Sequence, residues 1–269
     1  MIEVKDMTFS YSTRGKDVFN GLNLYLESNA IYGLLGKNGM GKSTLLYLIC
    51  GLLRAQHGTV AIDGMRSELR LPEMLLEMYI VTEDFDMPAM RLSEYVKANA
   101  MFYPNFSDEV MQKCLKEFEM EDDPMLSALS MGQKKKVCMS FAIATNTKYL
   151  IMDEPTNGLD IPSKAQFRKV IASAMTDDRT MIISTHQVHD IENLLDHVII
   201  LDNSEILLNS SVADICDKYV FEYRTPDDMA DVIYAEPSLQ GNAVMAPRAG
   251  KTETSLNLEL LFNAITKKK

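Results

Sequence analysis

Residues 36–44 read Gly-Lys-Asn-Gly-Met-Gly-Lys-Ser-Thr, a spacing of glycines, lysine and hydroxyls suited to holding phosphate. Gly36, Gly39 and Gly41 let the backbone turn tightly and aim N–H groups at anionic oxygens, just where a helix would begin. Lys42 adds a positive charge, and the Ser43 hydroxyl suits a ligand of Mg²⁺. Asn38 and Thr44 complete the stretch expected to touch the bound molecule. The pattern predicts a nucleoside triphosphate, but alone it does not choose among kinase, GTPase and ATPase.

A second group with chemistry lies at residues 149–154, Tyr-Leu-Ile-Met-Asp-Glu. Four bulky residues read as a buried strand, and that strand would deliver Asp153 beside the metal held by Ser43. Glu154, one residue further, could accept a hydrogen bond from the water that attacks the γ-phosphate.

These groups need elements to position them. Ile2, Val4, Met7, Phe9 and Tyr11 alternate with one irregularity, and Leu22, Leu24 and Leu26 alternate cleanly. Both runs predict antiparallel strands with one solvated face. Residues 30–35 form a short continuous apolar run, as a fully buried parallel strand would. A helix is expected over about 42–51, and a strand over 59–62. From about 86 to 146 the pattern is helical, with Ser107 as an N-cap ahead of Asp108 and Glu109. Strand signals return at 149–152, 180–184 and 198–201. Strands alternating with helices predict a mostly parallel α/β sheet. Beyond Asp202 the pattern weakens to short strands at 219–223 and 231–234, a loop at 246–250 and a final helix from Ser255.

Composition narrows the function classes. The chain has 269 residues, 27 Lys+Arg against 38 Asp+Glu, and a formal charge of −11. That acidic balance argues against nucleic acid as a partner. The dense basic runs are Lys134, Lys135 and Lys136, expected on an exposed helix face, and the three C-terminal lysines. Cys50, Cys114, Cys138 and Cys216 are scattered without a CxxC pair and read as small buried hydrophobes. Glu3, Lys5 and Asp6 interrupt any signal-peptide core. No apolar stretch approaches the ~20 residues that span a bilayer, so a cytoplasmic protein is expected, with any membrane link made through a partner.

Leu129-Ser130-Met131-Gly132-Gln133 precedes Asp153, Asn157-Gly158-Leu159-Asp160 follows it, and His186 comes after the 180–184 strand. In this order the sequence resembles the ABC ATPase family over about residues 1–208. The first string looks like the family signature, the second like the D-loop and His186 like the switch histidine. Tyr11 is placed like the aromatic residue that stacks on adenine. The resemblance implies an α/β P-loop NTPase core with a mostly parallel sheet, an N-terminal antiparallel β subdomain and a helical insert at about 86–146. A small α+β extension would fill 209–269. It implies ATP with Mg²⁺, and a head-to-tail dimer in which Ser130, Gly132 and Gln133 face the phosphate loop of the other subunit. Asp160 would lie at that interface, and His186 would contact the γ-phosphate in its own site. Homodimer and heterodimer both remain open.

Two departures from the family pattern stand out. Met131 replaces the first glycine of the signature pair, and Glu83 stands where a Gln is usual, so that a carboxylate would approach the metal. The leading expectation is the ATPase subunit of a transporter, working on the inner face of the membrane with a multispanning permease on a separate chain. The Met-rich acidic stretch 83–90 reads equally as a docking surface for that permease and as a solvated loop whose methionines fill a local core. The C-terminal segment resembles pieces found in the ABC-2-type exporter group, which favours export. The alternative is a soluble ABC ATPase without a transport role, such as an iron–sulfur assembly factor.

Overall fold

In the computed structural model, residues 1–12, 16–239 and 241–267 are described; the last two of the C-terminal lysines lie outside them. The chain opens with β1 (Ile2–Phe9), β2 (Phe19–Leu26) and β3 (Ile31–Leu35), followed by α1 (Lys42–Ile49). Next come β4 (His57–Ile62), β5 (Met65–Arg66), α2 (Pro72–Leu76) and β6 (Met78–Val81). Three helices follow, α3 (Leu92–Asn99), α4 (Asp108–Glu117) and α5 (Met131–Ala144). Then β7 (Tyr149–Asp153), α6 (Ile161–Ala174), β8 (Thr180–Thr185) and β9 (His197–Asp202) complete the core. The C-terminal part holds β10 (Glu205–Ser211), α7 (Val212–Lys218), β11 (Tyr219–Arg224), β12 (Tyr234–Ser238), β13 (Gly241–Pro247) and α8 (Leu258–Thr266).

The central sheet has the order β10-β9-β3-β8-β7-β6, parallel throughout except for the antiparallel edge strand β10. Strands β3 and β7 are buried along their whole length, as parallel strands covered on both faces must be. The two-residue period assigns their side chains to opposite layers. Ile31 and Leu35 join Leu150 and Met152 on one face, under α5 and α6, while Tyr32, Leu34, Tyr149 and Ile151 pack with α1 on the other. That second layer is closed by an antiparallel sheet, β2-β1-β4-β5. The irregular alternation at its start is a register shift between Val4 and Met7, where Asp6 adopts φ 46°.

Helices α3, α4 and α5 surround a separate cluster of Leu92, Met111, Leu115, Leu126, Val137 and Phe141. Ser107 caps α4 by accepting from the Val110 N–H, as expected. The four cysteines are buried and unpaired.

The C-terminal segment differs from its sequence reading. The strand expected at 231–234 lies at Tyr234–Ser238, where Pro237 is tolerated because β12 pairs with β13 alone. Strands β10 and β13 and helix α7 were not anticipated, since Glu205–Ser211 and Gly241–Pro247 lack a clean alternation. Helix α8 begins at Leu258 rather than near Ser255, because Asn257 accepts from the Leu260 N–H as its cap. Its apolar side, Leu258, Leu260 and Leu261, shares the core layer of Val188 and Ile191. The lysine run also departs from expectation. Lys135 is 5% exposed, and Lys136 donates to the Phe118 carbonyl and Gln166, so this face of α5 is packed rather than solvated.

Candidate active site: a phosphate loop facing two strand ends

Strands β3, β7 and β8 are adjacent in the sheet, so their C-terminal ends deliver three loops to one edge. From β3 comes the 36–41 loop. Gly41 is the N-cap of α1 at φ 97°, and neither a side-chain cap nor a first-turn acid satisfies the helix N-terminus. The N–H groups there are free for an external anion. Gly39 also takes a left-handed conformation, φ 80°. Gly36 has a different reason for its identity: a Cβ there would lie 2.6 Å from the Leu201 carbonyl of β9. Packing, rather than the turn itself, excludes a side chain at that position.

Tyr11, Asn38, Gly39, Gly41, Lys42, Ser43, Thr44, Glu83 and Glu154 line one cleft of about 320 Å³. Lys42 and Glu154 are each 5% exposed at the side chain, and Lys42 Nζ lies 3.3 Å from Glu154 Oε1. The ammonium also donates to the Gly36 carbonyl at 2.8 Å. The Tyr11 hydroxyl meets Thr44 Oγ1 at 2.8 Å. Its ring is 66% exposed and braced edge-on by Phe9, which leaves a face free for a planar ligand.

Asp153 ends β7 at 1% exposure. Its Oδ1 accepts a hydrogen bond from Ser184 Oγ of β8, while Oδ2 is buried without a partner. Burial pushes this carboxyl above the usual range, and the charges of Glu154 and Glu83 add to that; Ser184 and Ser43 oppose the rise. A desolvated carboxylate with one orphaned oxygen fits a cation as its missing partner.

Glu154 occupies a left-handed conformation, φ 46°, which costs a non-glycine residue about 1–2 kcal/mol. Its N–H donates to the Ser184 carbonyl at 3.0 Å. Its carbonyl accepts from the buried ammonium of Lys135 at 3.1 Å. The carboxylate then faces His186, with Oε2 2.9 Å from Nδ1 and 3.3 Å from the backbone N–H. The loop from β8 thus meets the loop from β7 at this carboxylate.

Glu83, on the loop after β6, accepts from Asn157 Nδ2 at 2.9 Å. Lys135 donates to the Asn157 carbonyl at 2.8 Å. Burial lowers the Lys135 pKa, and the neighbouring Glu83 and Glu154 partly restore it.

The signature residues sit elsewhere. Ser130 caps α5 and exchanges hydrogen bonds with Gln133 in a capping box. Gly132 approaches the Gly158 carbonyl and Leu159, and Asp160 caps α6 by accepting from the Ser163 N–H at 2.9 Å. None of Ser130, Gly132, Gln133 or Asp160 lines the cleft. Reasoning from the sequence missed Lys135 and Ser184 as parts of the site, and named Asn157 only within the D-loop string. Lys135 had a usable signal: it shares a helix face with Cys138, Met139 and Ala142, all buried.

The ABC transporter family model matches residues 19–157. A putative ABC transporter ATP-binding protein of Pyrococcus abyssi is 31% identical, over 80% of this chain and 85% of its own length. The high-affinity zinc uptake system ATP-binding protein ZnuC of Bacillus subtilis is 29% identical, over 76% of this chain and 92% of its own. Among solved structures, the dimeric ATP-binding cassette MJ0796, in a post-hydrolysis state with ADP and Pi, superimposes with a TM-score of 0.69. It covers 78% of this chain and 98% of its own at 24% identity. The chain belongs to the ABC transporter family, as an ATP-binding subunit with ATPase activity.

Proposed function

We propose that the chain powers substrate movement through a separate multispanning membrane subunit, by closing and opening as a head-to-tail dimer around two ATP molecules. The observation that carries this reading is the separation of the site into two halves. The cleft is lined by the phosphate loop, Glu83 and Glu154, and His186 meets the Glu154 carboxylate from behind it, whereas the capped N-terminus of α5 lies outside it. A helix N-terminus bearing Ser130 and Gly132 is an anion site in its own right, and a second subunit would bring one to each cleft. Both halves are present in this chain, so a homodimer suffices and a heterodimer with a similar ATPase works equally. The dimeric state of MJ0796 supports this arrangement.

In each closed site the α1 N–H groups and Lys42 hold the β- and γ-phosphates, and the exposed face of Tyr11 stacks on adenine. Mg²⁺, held by Ser43 and Asp153 with Glu83 alongside, would neutralise phosphate charge. Glu154 orients the attacking water, and His186 fixes the Glu154 carboxylate while offering its ring to the γ-phosphate. Hydrolysis removes the anion that both halves share, so the closed state loses its differential stabilisation.

Among the described residues no helix is long and apolar enough to cross a membrane, so the translocation path would come from a partner at the inner face. Relatives of comparable similarity include an uptake ATPase; the expectation of export rests on the C-terminal segment alone. The test is an affinity pull-down of the Glu154→Gln chain from detergent-solubilised native membranes with ATP present. A multispanning protein retained in stoichiometric amount supports the reading and identifies the route to the substrate. Recovery with soluble partners alone overturns the transport assignment and favours a soluble ABC ATPase.

A further inference from the structure

The catalytic glutamate has an unusual backbone, and the residue that holds it lies on a different element. Glu154 keeps φ 46°, a conformation in which glycine and asparagine are at ease and glutamate is not. Hydrogen bonds to two other elements fix the peptide on either side. On one side the Ser184 backbone carbonyl and hydroxyl receive the Glu154 N–H. On the other, the Glu154 carbonyl receives the Lys135 ammonium at 3.1 Å, and the same ammonium reaches the Asn157 carbonyl at 2.8 Å. Lys135 is 5% exposed and reaches no carboxylate oxygen within ion-pair distance among the described residues. A buried lysine spent on two carbonyls of one turn is an expensive arrangement for stability alone.

We propose that Lys135 is a positioning residue for hydrolysis: it clamps the turn at 154–157 so that the Glu154 carboxylate stays aimed at Lys42 and His186. The inference rests on the assignment of Glu154 as the group that orients water. Lys135 does not touch the nucleotide cleft, so its removal spares ground-state binding and acts on the chemical step. It sits five residues beyond Ser130 on the same helix, about 7.5 Å along the axis. The clamp therefore ties the catalytic turn to the element that carries the signature.

The experiment is steady-state and single-turnover ATP hydrolysis by Lys135→Met, Glu154→Gln and the double variant, with ATP affinity and melting temperature measured alongside. Lys135→Met keeps the length of the side chain and removes its donor. We expect kcat to fall about 10- to 100-fold, the scale of a catalytic group displaced by ~1 Å, with KM and ATP affinity no more than twofold weaker than wild type. In the Glu154→Gln background the further loss should vanish, because the two residues act as one unit. Lys135→Gln, which keeps a polar head should the Met variant fail to fold, should show the same split between kcat and KM. A folded variant with unchanged kcat overturns the proposal, as does an equal fold-loss in both backgrounds, which would mark an effect independent of Glu154. If Glu154→Gln alone hydrolyses ATP at the wild-type rate, it is the assignment of Glu154 that falls, with the clamp as its dependent.

Discussion

Replacing Glu154 with Gln should separate two jobs that one carboxylate performs. Glu154 Oε1 lies 3.3 Å from Lys42 Nζ, with both side chains 5% exposed. At an effective dielectric constant of about 20 the gross attraction is about 5 kcal/mol, much of it offset by the desolvation of both ions. A γ-phosphate entering the cleft must draw Lys42 away from that carboxylate and then sit beside its negative charge. The amide of Gln removes the charge but can still accept from the His186 N–H, so the fold is retained. If about 1.4–2.7 kcal/mol of the gross attraction survives as net competition, ATP should bind roughly 10- to 100-fold more tightly. Turnover should fall by about 10²- to 10⁴-fold, equivalent to about 2.7–5.4 kcal/mol in the barrier. Calorimetric titration of the variant with ATP, against wild type with a non-hydrolysable analogue, measures the first effect, and phosphate release measures the second. Weaker binding in Glu154→Gln would refute the competition between Lys42 and phosphate; turnover within threefold of wild type would refute the catalytic role.

Other perturbations read different parts of the structure. Gly41→Ala places a Cβ at φ 97° and 2.9 Å from Cζ of Phe19, a fully buried ring. We expect about 2–3 kcal/mol of destabilisation and little or no thermal shift on adding ATP. Ser130→Ala removes the α5 cap at about 1 kcal/mol in urea unfolding, and in the proposed dimer, where the hydroxyl would face the second site, should lower turnover more than that loss of stability explains. Burial alone would raise the Asp63 pKa, but hydrogen bonds from Lys148, the Met1 amine and Tyr149 overcome it and hold the carboxyl at about 2. Its folded pKa is depressed, so its contribution is present above the unfolded value and is lost as pH falls from about 4 to 2. With the side chain 35% exposed, screening leaves roughly 1 kcal/mol. Asp63→Asn should therefore unfold more easily in urea at pH 7 and converge on wild type near pH 2.

The phosphate loop and the Asp153–Glu154 strand end were legible because both motifs fix backbone and chemistry within a few residues. Strand β3 and strand β7 announce themselves as short unbroken apolar runs, and parallel burial explains why they do not alternate. Lys135 was misread because a lysine run is normally a solvated face, and its burial depends on carbonyls 19 and 22 residues away. The Asn157 contact to Glu83 spans 74 residues, beyond any local pattern. The C-terminal sheet was only half visible: Gly241–Pro247 has weak strand formers, and it pairs because β11 and β12 flank it on both sides.

The order of the central sheet has a consequence for the chain during its synthesis. Strand β3 lies between β8 and β9, with Ile31 opposite Met181, so its parallel neighbours are made about 150 residues after it. At translation rates of ~5–20 residues per second that interval is roughly 8–30 s. Throughout it the phosphate loop is attached to an apolar strand with neither edge paired, resting on β1, β2 and α1 for cover. The nascent subunit is thus exposed to strand-edge aggregation until the ribosome has passed the very segment that completes its active site.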